Sequence, residues 1–412
     1  MRYLDDGEDF EMIFLLPRSH AKSARSSKKE RKTAAPARLM NALKRLGLFT
    51  PSATALLGAA RPTQPLCSKS LPSLSKRAAL SSFLCSRSYS RPSEGLSGSS
   101  RRIGFVGVGA MGRPMCENLL KSGRFEQVVV CDTNEKALQD FKAMGAEVVT
   151  SPADLARSPG VETVISMLPS AGHVEGVFLG ESGLLSVDPS ELQPRFFIDC
   201  SSTGPKCSVS MQRELEGREG ADLVFVDAPV SGGVPGAEQA TLTFMVGAPT
   251  EDLFNRARDV LVPTVGKQAV HCGTTGAGQS TKLCNNLVLG ITMAGVCEAM
   301  ALGQKLGLDP ENLSKVFNSS SAQCWSTSLY NPCPGVMQGV PSSRDYENGF
   351  LTELMIKDLT SAQQAAESAQ ADIYLGKMAN DLYQKMESTH QRKDFSAIYR
   401  YIYNGQASGQ RE

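Results

Sequence analysis

Lys282 and Asn286 stand four residues apart in the run Gly276-Ala-Gly-Gln-Ser-Thr-Lys-Leu-Cys-Asn-Asn. A helix opened by the glycine turn puts both on one face. A lysine buried beside apolar surface and near other cations falls from its ordinary pKa of about 10.4 toward neutrality, and in that state it can shuttle a proton. A lysine in a helix is more often a solvated surface residue, so spacing alone leaves both readings open. Few other groups are placed to take a proton. Of the four histidines, His20 lies near the start of the chain and His390 near its end, His271 sits at a strand end, and His173 follows a cofactor-side turn. The 11 cysteines contain no Cys-x-x-Cys pair and no Cys/His ligand spacing, so no metal site is expected, and reduced, mostly buried thiols in an intracellular compartment are the simpler reading.

The second chemical group is a glycine turn. Ile103 to Gly112 reads I-G-F-V-G-V-G-A-M-G, an apolar strand running into Gly107, Gly109 and Gly112 at the G-x-G-x-x-G spacing. Each glycine has a physical task. Gly107 allows the tight turn, Gly109 lets the backbone approach a pyrophosphate, and Gly112 lets the next helix sit close to the strand. With Ala110 and Met111 the turn would cradle the pyrophosphate on the helix N-terminus, where free N–H groups and the dipole favour an anion. An amphipathic run with Met115 and Leu119 follows, then an apolar strand, Val128 to Cys131, that ends at Asp132. That acid lies where a ribose 2′-hydroxyl needs an acceptor, and it is followed by Thr133 rather than by an arginine, which predicts NAD.

These residues need a scaffold, and the pattern supplies one. After Asp132 helix and strand alternate: a helix over Asn134 to Met144, a strand at Glu147 to Val149, and a Ser151-Pro152 helix start. Apolar strands follow at Thr163 to Leu168, Phe196 to Ile198, Leu223 to Asp227 and Thr243 to Val246. In an open parallel sheet the ligand lies across the carboxyl ends of the strands, so Leu168, Pro169 and Ser202 are placed to line the nicotinamide side. From Gly278 onward nearly everything reads as helix: one to about Lys305, one capped by Asp309-Pro310, and others at Glu353 to Ala369 and Tyr374 to Met386. The expected fold class is therefore an α/β Rossmann-type doubly wound domain, residues 103–266, followed by an all-α helical domain, residues 267–405, for substrate and oligomer contacts. The polar, Ser/Pro/Gly-rich segment Cys324 to Asn348 is expected to be an ordered loop over a site.

Residues 1–102 differ in composition and are expected to be a disordered targeting segment. Met40 to Arg102 holds ten Lys/Arg and one acid, Glu94, as organelle transit peptides do. Met40 is a candidate start, and Arg87-Ser-Tyr89-Ser90 has the form of a matrix-processing site, so a mitochondrial matrix location is predicted. Net charge is +1, which gives no field for nucleic acid or membrane. The apolar stretch Leu287 to Gly303 carries Glu298 and many small residues, which suits a buried helix better than a bilayer span.

Four motifs in order, G-F-V-G-V-G-A-M-G-R-P-M, then D-A-P-V-S-G-G at Asp227 to Gly233, then G-Q-S-T-K-L-C-N-N, then Lys357-Asp358-Leu359, resemble the β-hydroxyacid dehydrogenase family over about Ile103 to Ile402. The resemblance implies that Lys282 is the catalytic acid/base and that Asn286 helps hold the substrate. Ser231, Gly232 and Gly233 would bind its carboxylate, with Trp325 at the substrate. Lys357 would lie at the cofactor, and Leu168, Pro169, His173 and Ser202 would touch the dinucleotide; His173 and Ser202 stand where the family has Asn and Thr. The implied activity is NAD-dependent oxidation of a small β-hydroxyacid, first among them 3-hydroxyisobutyrate, to its semialdehyde in valine breakdown, by a homo-oligomer, dimer or tetramer. A related reductase acting on a semialdehyde or glyoxylate is the alternative. A non-catalytic nuclear scaffold, suggested by the basic run Ser26 to Lys32, is the reading from another class, and it gives no reason to keep base, carboxylate turn and ribose acid together.

Overall fold

The structure, a computed structural model, describes residues 102–218 and 222–404. The expectations for the tail, including its targeting segment, the Met40 start and the processing site, lie outside the described residues.

Nine strands form one sheet: β1 (Arg102–Val106), β2 (Gln127–Cys131), β3 (Glu147–Val149), β4 (Val161–Ser166), β5 (Phe196–Asp199), β6 (Val224–Asp227), β7 (Val230–Ser231), β8 (Leu242–Gly247) and β9 (Gly266–Gly273). The order is β3-β2-β1-β4-β5-β6-β8-β7, with β9 on the other side of β8. From β3 to β6 all pairs are parallel, in the order of a doubly wound dinucleotide fold. β8 is antiparallel to both β6 and β7. Because successive side chains of a strand point to opposite faces, each apolar strand feeds two cores. Val128, Val130, Phe196, Ile198, Val224 and Val226 bury against α1 (Gly112–Ser122), α2 (Glu135–Ala143) and, further along, α7 (Glu251–Leu261). Val129, Cys131, Phe197 and Phe225 bury on the other face against α3 (Pro152–Arg157), α4 (Ala171–Leu179) and α5 (Pro205–Glu216). A short helix, α6 (Gly233–Glu238), opens at the Ser231-Gly-Gly turn.

Four details correct the sequence reading. β1 takes in Arg102. The strand expected to reach Leu168 ends at Ser166, because Leu168 gives its N–H to the Ser201 hydroxyl and not to a neighbouring strand. The sheet runs on to Gly273, beyond the expected boundary at 266, since β9 pairs in parallel with β8. The sequence marks only the end of β9, at His271, because the strand mixes exposed polar side chains, Lys267, Gln268 and His271, with exposed Val270. The segment Cys324 to Asn348 holds a helical turn, α10 (Trp325–Ser328), and a 3₁₀ turn at Pro341–Arg344, and is pinned into the helical core by buried Asn331, Cys333 and Tyr346.

The helical half is α8 (Ala277–Lys305), α9 (Pro310–Ser319), α10, α11 (Thr352–Ser368), α12 (Tyr374–His390) and α13 (Ile398–Asn404). Asp309 caps α9 by accepting from Asn312 N–H, and Pro310 takes the first helical position. α8 is the spine. By length and composition it would suit a bilayer, but Met293, Cys297 and Met300 bury against Met355, Leu359, Tyr383 and Met386. Its first turn packs on the sheet: a Cβ at Gly278 would lie 2.2 Å from the Met245 carbonyl oxygen, so only glycine fits. The two halves, each with its own core, thus form one compact unit.

Candidate active site

The glycine turn lies at the switch point between β1 and β4, where the strand order reverses and ligands of open α/β sheets bind. The three glycines differ as their tasks require. Gly107 has φ +92°, and a Cβ there would come within 2.4 Å of the Met167 carbonyl oxygen. Gly112 presses on the turn, where a Cβ would lie 1.8 Å from the Gly107 oxygen. Gly109 is the opposite case: nothing lies within 4 Å of its Cβ position, and Gly109 and Ala110 are exposed while Met111 packs on the core. That open space above a helix start fits a pyrophosphate. Asp132 stands at the end of β2 with one carboxylate oxygen accepting from Val108 N–H at 2.7 Å and the other from Asn134 N–H at 2.7 Å. Its carboxylate therefore fixes the turn and retains lone pairs for a ribose.

Around the far side of the switch point the chain narrows into a cleft lined by Pro169, Ser202, Gln279, Lys282, Lys357 and Asp358, among others. Sheet loops, the first turns of α8 and one face of α11 meet there. Lys282 Nζ donates to the Val230 carbonyl oxygen at 2.7 Å, next to the Ser231-Gly232-Gly233 turn. Burial lowers its pKa below that of an ordinary lysine, the Asp358 carboxylate opposes the shift, and the Lys357 ammonium adds to it. Gly232 and Gly233 have φ +136° and +63°, so their turn presents backbone N–H groups in a form that suits an anion. Lys357 reaches from α11 to the Ser202 carbonyl oxygen at 3.4 Å and lies 3.6 Å from Asp358.

Asn286 lies one turn further along α8 and is buried. Its Nδ2 donates to Asp358 at 2.6 Å, and its Oδ1 accepts from Asn285 at 3.0 Å. His173 is exposed at the start of α4, its Nδ1 2.7 Å from the Ser170 hydroxyl. Trp325 stacks on Tyr330 with ring centroids 4.4 Å apart, and neither it nor any other residue of the 324–348 segment lines the cleft. The hydroxyls of that segment turn inward: Tyr330 to Asp394, Ser342 to Asn331 and Tyr346 to Pro332. Among the described residues no group of three His, Cys, Asp or Glu is placed to hold a metal ion.

Sequence reasoning missed three participants. Asp358 is a carboxylate at a core position of α11, between Met355 and Leu359; an acid on an apolar helix face was the available signal. Gln279 is buried, its Oε1 accepting from Thr203 and Gly204 N–H and its Nε2 donating to the Ser201 carbonyl. Asp227, quoted within a motif but given no task, ends β6 fully buried.

A Rossmann cleft with a glycine turn at the switch point, a carboxylate at the end of β2 and a desolvated amine beside a second glycine turn defines a two-part nicotinamide-dinucleotide dehydrogenase. The comparisons give the family. Residues 102–273 match the NAD binding domain of 6-phosphogluconate dehydrogenase, and residues 276–402 match the NAD-binding domain of NADP-dependent 3-hydroxyisobutyrate dehydrogenase. The probable mitochondrial 3-hydroxyisobutyrate dehydrogenase of Arabidopsis thaliana is 43% identical over 74% of this chain and 88% of its own length. The mitochondrial 3-hydroxyisobutyrate dehydrogenase of Homo sapiens is 42% identical over 79% and 92%. A solved 3-hydroxyisobutyrate dehydrogenase from Mycobacterium tuberculosis, with L-serine, is 35% identical, has a TM-score of 0.66, and covers 73% of this chain and 99% of its own. The chain belongs to the 3-hydroxyisobutyrate dehydrogenase family.

Proposed function

We propose that the protein oxidises 3-hydroxyisobutyrate to methylmalonate semialdehyde with NAD, as a step of valine breakdown. The observation that carries this reading is the Lys282 amine, desolvated and held at Val230 beside the Ser231-Gly-Gly turn. The turn binds the substrate carboxylate through its backbone N–H groups and the Ser231 hydroxyl. Neutral Lys282 takes the proton of the hydroxyl group as the carbinol carbon is oxidised. Bound NAD supplies the hydride acceptor. Gly107, Gly109, Ala110, Met111 and Gly112 hold the pyrophosphate and Asp132 the ribose, while Leu168, Pro169, His173, Ser202 and Lys357 line the nicotinamide side. Asn286, steadied by Asp358, orients the substrate from below, and Trp325 contributes only where the 324–348 segment moves or a second copy brings it near.

Preference for NAD rests on Asp132, which accepts from ribose hydroxyls and repels a 2′-phosphate. A mitochondrial matrix location is supported by the basic, acid-poor stretch after Met40. Homo-oligomerisation is supported by exposed apolar side chains on α8, Val288 and Leu302, at its C-cap, Leu306, and on α12, Tyr374, Leu375 and Met378. Steady-state assay of the purified chain against a panel of β-hydroxyacids with NAD and NADP tests the reading. Turnover of 3-hydroxyisobutyrate ahead of its analogues is expected, and absence of turnover on every member would overturn it.

A further inference from the structure

The buried end of β6 bears on catalysis without touching the cleft. Asp227 accepts from Gly276 N–H at 2.6 Å through one carboxylate oxygen and from Gln279 N–H at 2.9 Å through the other. Both donors belong to the opening of α8: Gly276 is its N-cap, with φ +90° and no side chain to cap the helix. The carboxylate therefore takes the place of the missing cap, from another strand. The fit is close on every side. A Cβ at Gly247 would lie 2.3 Å from Asp227 Oδ1, and one at Gly278 2.8 Å from Oδ2. Gln279, once held by its N–H, passes the register on through its own side chain to Ser201, Thr203 and Gly204. Lys282 lies three residues beyond Gln279 on the same helix, and its amine rests on Val230, three residues beyond Asp227 at the start of β7.

We infer that Asp227 is a positioning residue: its carboxylate fixes the first turn of α8 against β6 and so sets Lys282 at the carboxylate turn. The inference rests on the reading of Lys282 as the proton acceptor. The charged form of Asp227 is the one that clamps, because each oxygen faces an N–H donor and a protonated oxygen would face one with its own hydrogen. Burial raises its pKa, the N–H donors of Gly276, Gln279 and Asp227 itself lower it, and the neighbouring Asp199 raises it, with the balance at about 6. Asp199, paired with Asp227 across β5 and β6, is the titratable group that acts on it. The neighbours from β8 and α8 are Gly247, Gly276, Gly278 and Gln279, none of them ionisable. Asp199 carries all its donors, Ser166 Oγ and Ser201 N and Oγ, on one oxygen and leaves the other unpartnered, and burial raises its pKa as well.

Asp227→Asn tests this, since the amide keeps the shape but sets an N–H donor against one of the two backbone N–H groups. The expected result is a fall in kcat of tenfold or more, with NADH affinity, read by fluorescence, within about threefold of the parent. In the parent, log(kcat/KM) for oxidation should fall with slope 1 below the Lys282 pKa and steepen to slope 2 below about pH 6; in Asp227→Asn the slope should remain 1. Asp227→Glu should not rescue, because Gly247 and Gly278 leave no room for a further methylene. Parent-like kcat with an unchanged pH profile in Asp227→Asn would overturn the inference while leaving Lys282 as the base. If the parent turns over no β-hydroxyacid, the functional reading fails instead, and amide exchange at Gly276 and Gln279 still decides the clamp: faster exchange in Asp227→Asn supports it, and unchanged exchange refutes it.

Discussion

The Lys282 amine rests 2.7 Å from the Val230 carbonyl oxygen, so a side chain of the helical half is held by the strand residue that precedes Ser231. Proton acceptor and carboxylate turn are thereby set side by side before any ligand enters, which is the kind of preorganisation that spares an active site a costly rearrangement during turnover.

Lys282→Ala should lower kcat by about 10² to 10⁴, the usual worth of general acid/base catalysis, while NADH titration by fluorescence stays near the parent. Lys282→Arg should be as inactive, because a guanidinium does not release its proton in the working range. For the parent, the direction of the Lys282 shift fixes the sign of the pH dependence. Burial lowers its pKa, so the neutral form needed for oxidation appears at a lower pH than for an ordinary lysine, and oxidation should rise with pH until that pKa is passed. Near-parent kcat in Lys282→Ala would remove it from the role.

Two glycine substitutions should fail differently. Gly112→Ala sets a methyl 1.8 Å from the Gly107 oxygen, and the strain should cost roughly 1 to 3 kcal/mol or more of stability. Gly109→Ala meets no protein atom within 4 Å, so its melting temperature should stay near the parent while NADH affinity falls. Thermal melts and NADH titrations on both variants separate the outcomes, and normal NADH binding by Gly109→Ala would place the pyrophosphate elsewhere.

Asp132→Ala should narrow the preference for NAD over NADP, measured as the ratio of kcat/KM values. It should also weaken NADH binding beyond the loss of ribose contacts, since Val108 and Asn134 N–H lose their acceptor. An unchanged cofactor ratio would separate Asp132 from the ribose.

Ser231→Ala should raise the KM for the hydroxyacid with little change in NADH affinity. One hydrogen bond to a charged group is worth about 1.5 to 3 kcal/mol, hence an increase of roughly 10- to 150-fold. A KM equal to the parent's would take the hydroxyl out of carboxylate binding.

Much of this was legible in the chain, for physical reasons that differ from place to place. Parallel strands buried on both faces leave unbroken apolar runs, so Val128 to Cys131 and Phe196 to Ile198 were readable. Ser151 and Asp309 announced helices because a cap and a following proline are local events. Of β9 only the end at His271 was readable, since Lys267, Gln268 and His271 belong to a half-exposed strand whose partner is set only by tertiary pairing. Asp227, Gln279 and Asp358 show the same limit: each acts through a bond spanning from 49 to 78 residues of chain, which no local pattern encodes. The 324–348 segment looked like a cover because it is polar, but its hydroxyls bond within the segment, Ser342 to Asn331 and Tyr346 to Pro332, or reach Asp394, as Tyr330 does.

At about 1.5 Å per residue, the 29 residues of α8 make a rod of roughly 43 Å. It is gripped near its tip by Asp227 and along its shaft by Met293, Cys297 and Met300 in the helical core. A rod held in two places works as a lever, and a change of seating at one grip swings the other end. Misplacing a reacting group by about 1 Å can cost about 10² in rate. Shrinking Met300, eighteen residues along α8 from the proton acceptor, should therefore tilt the amine at the far end. Such variants would present in an assay as catalytic defects in a protein whose substrate contacts are all intact.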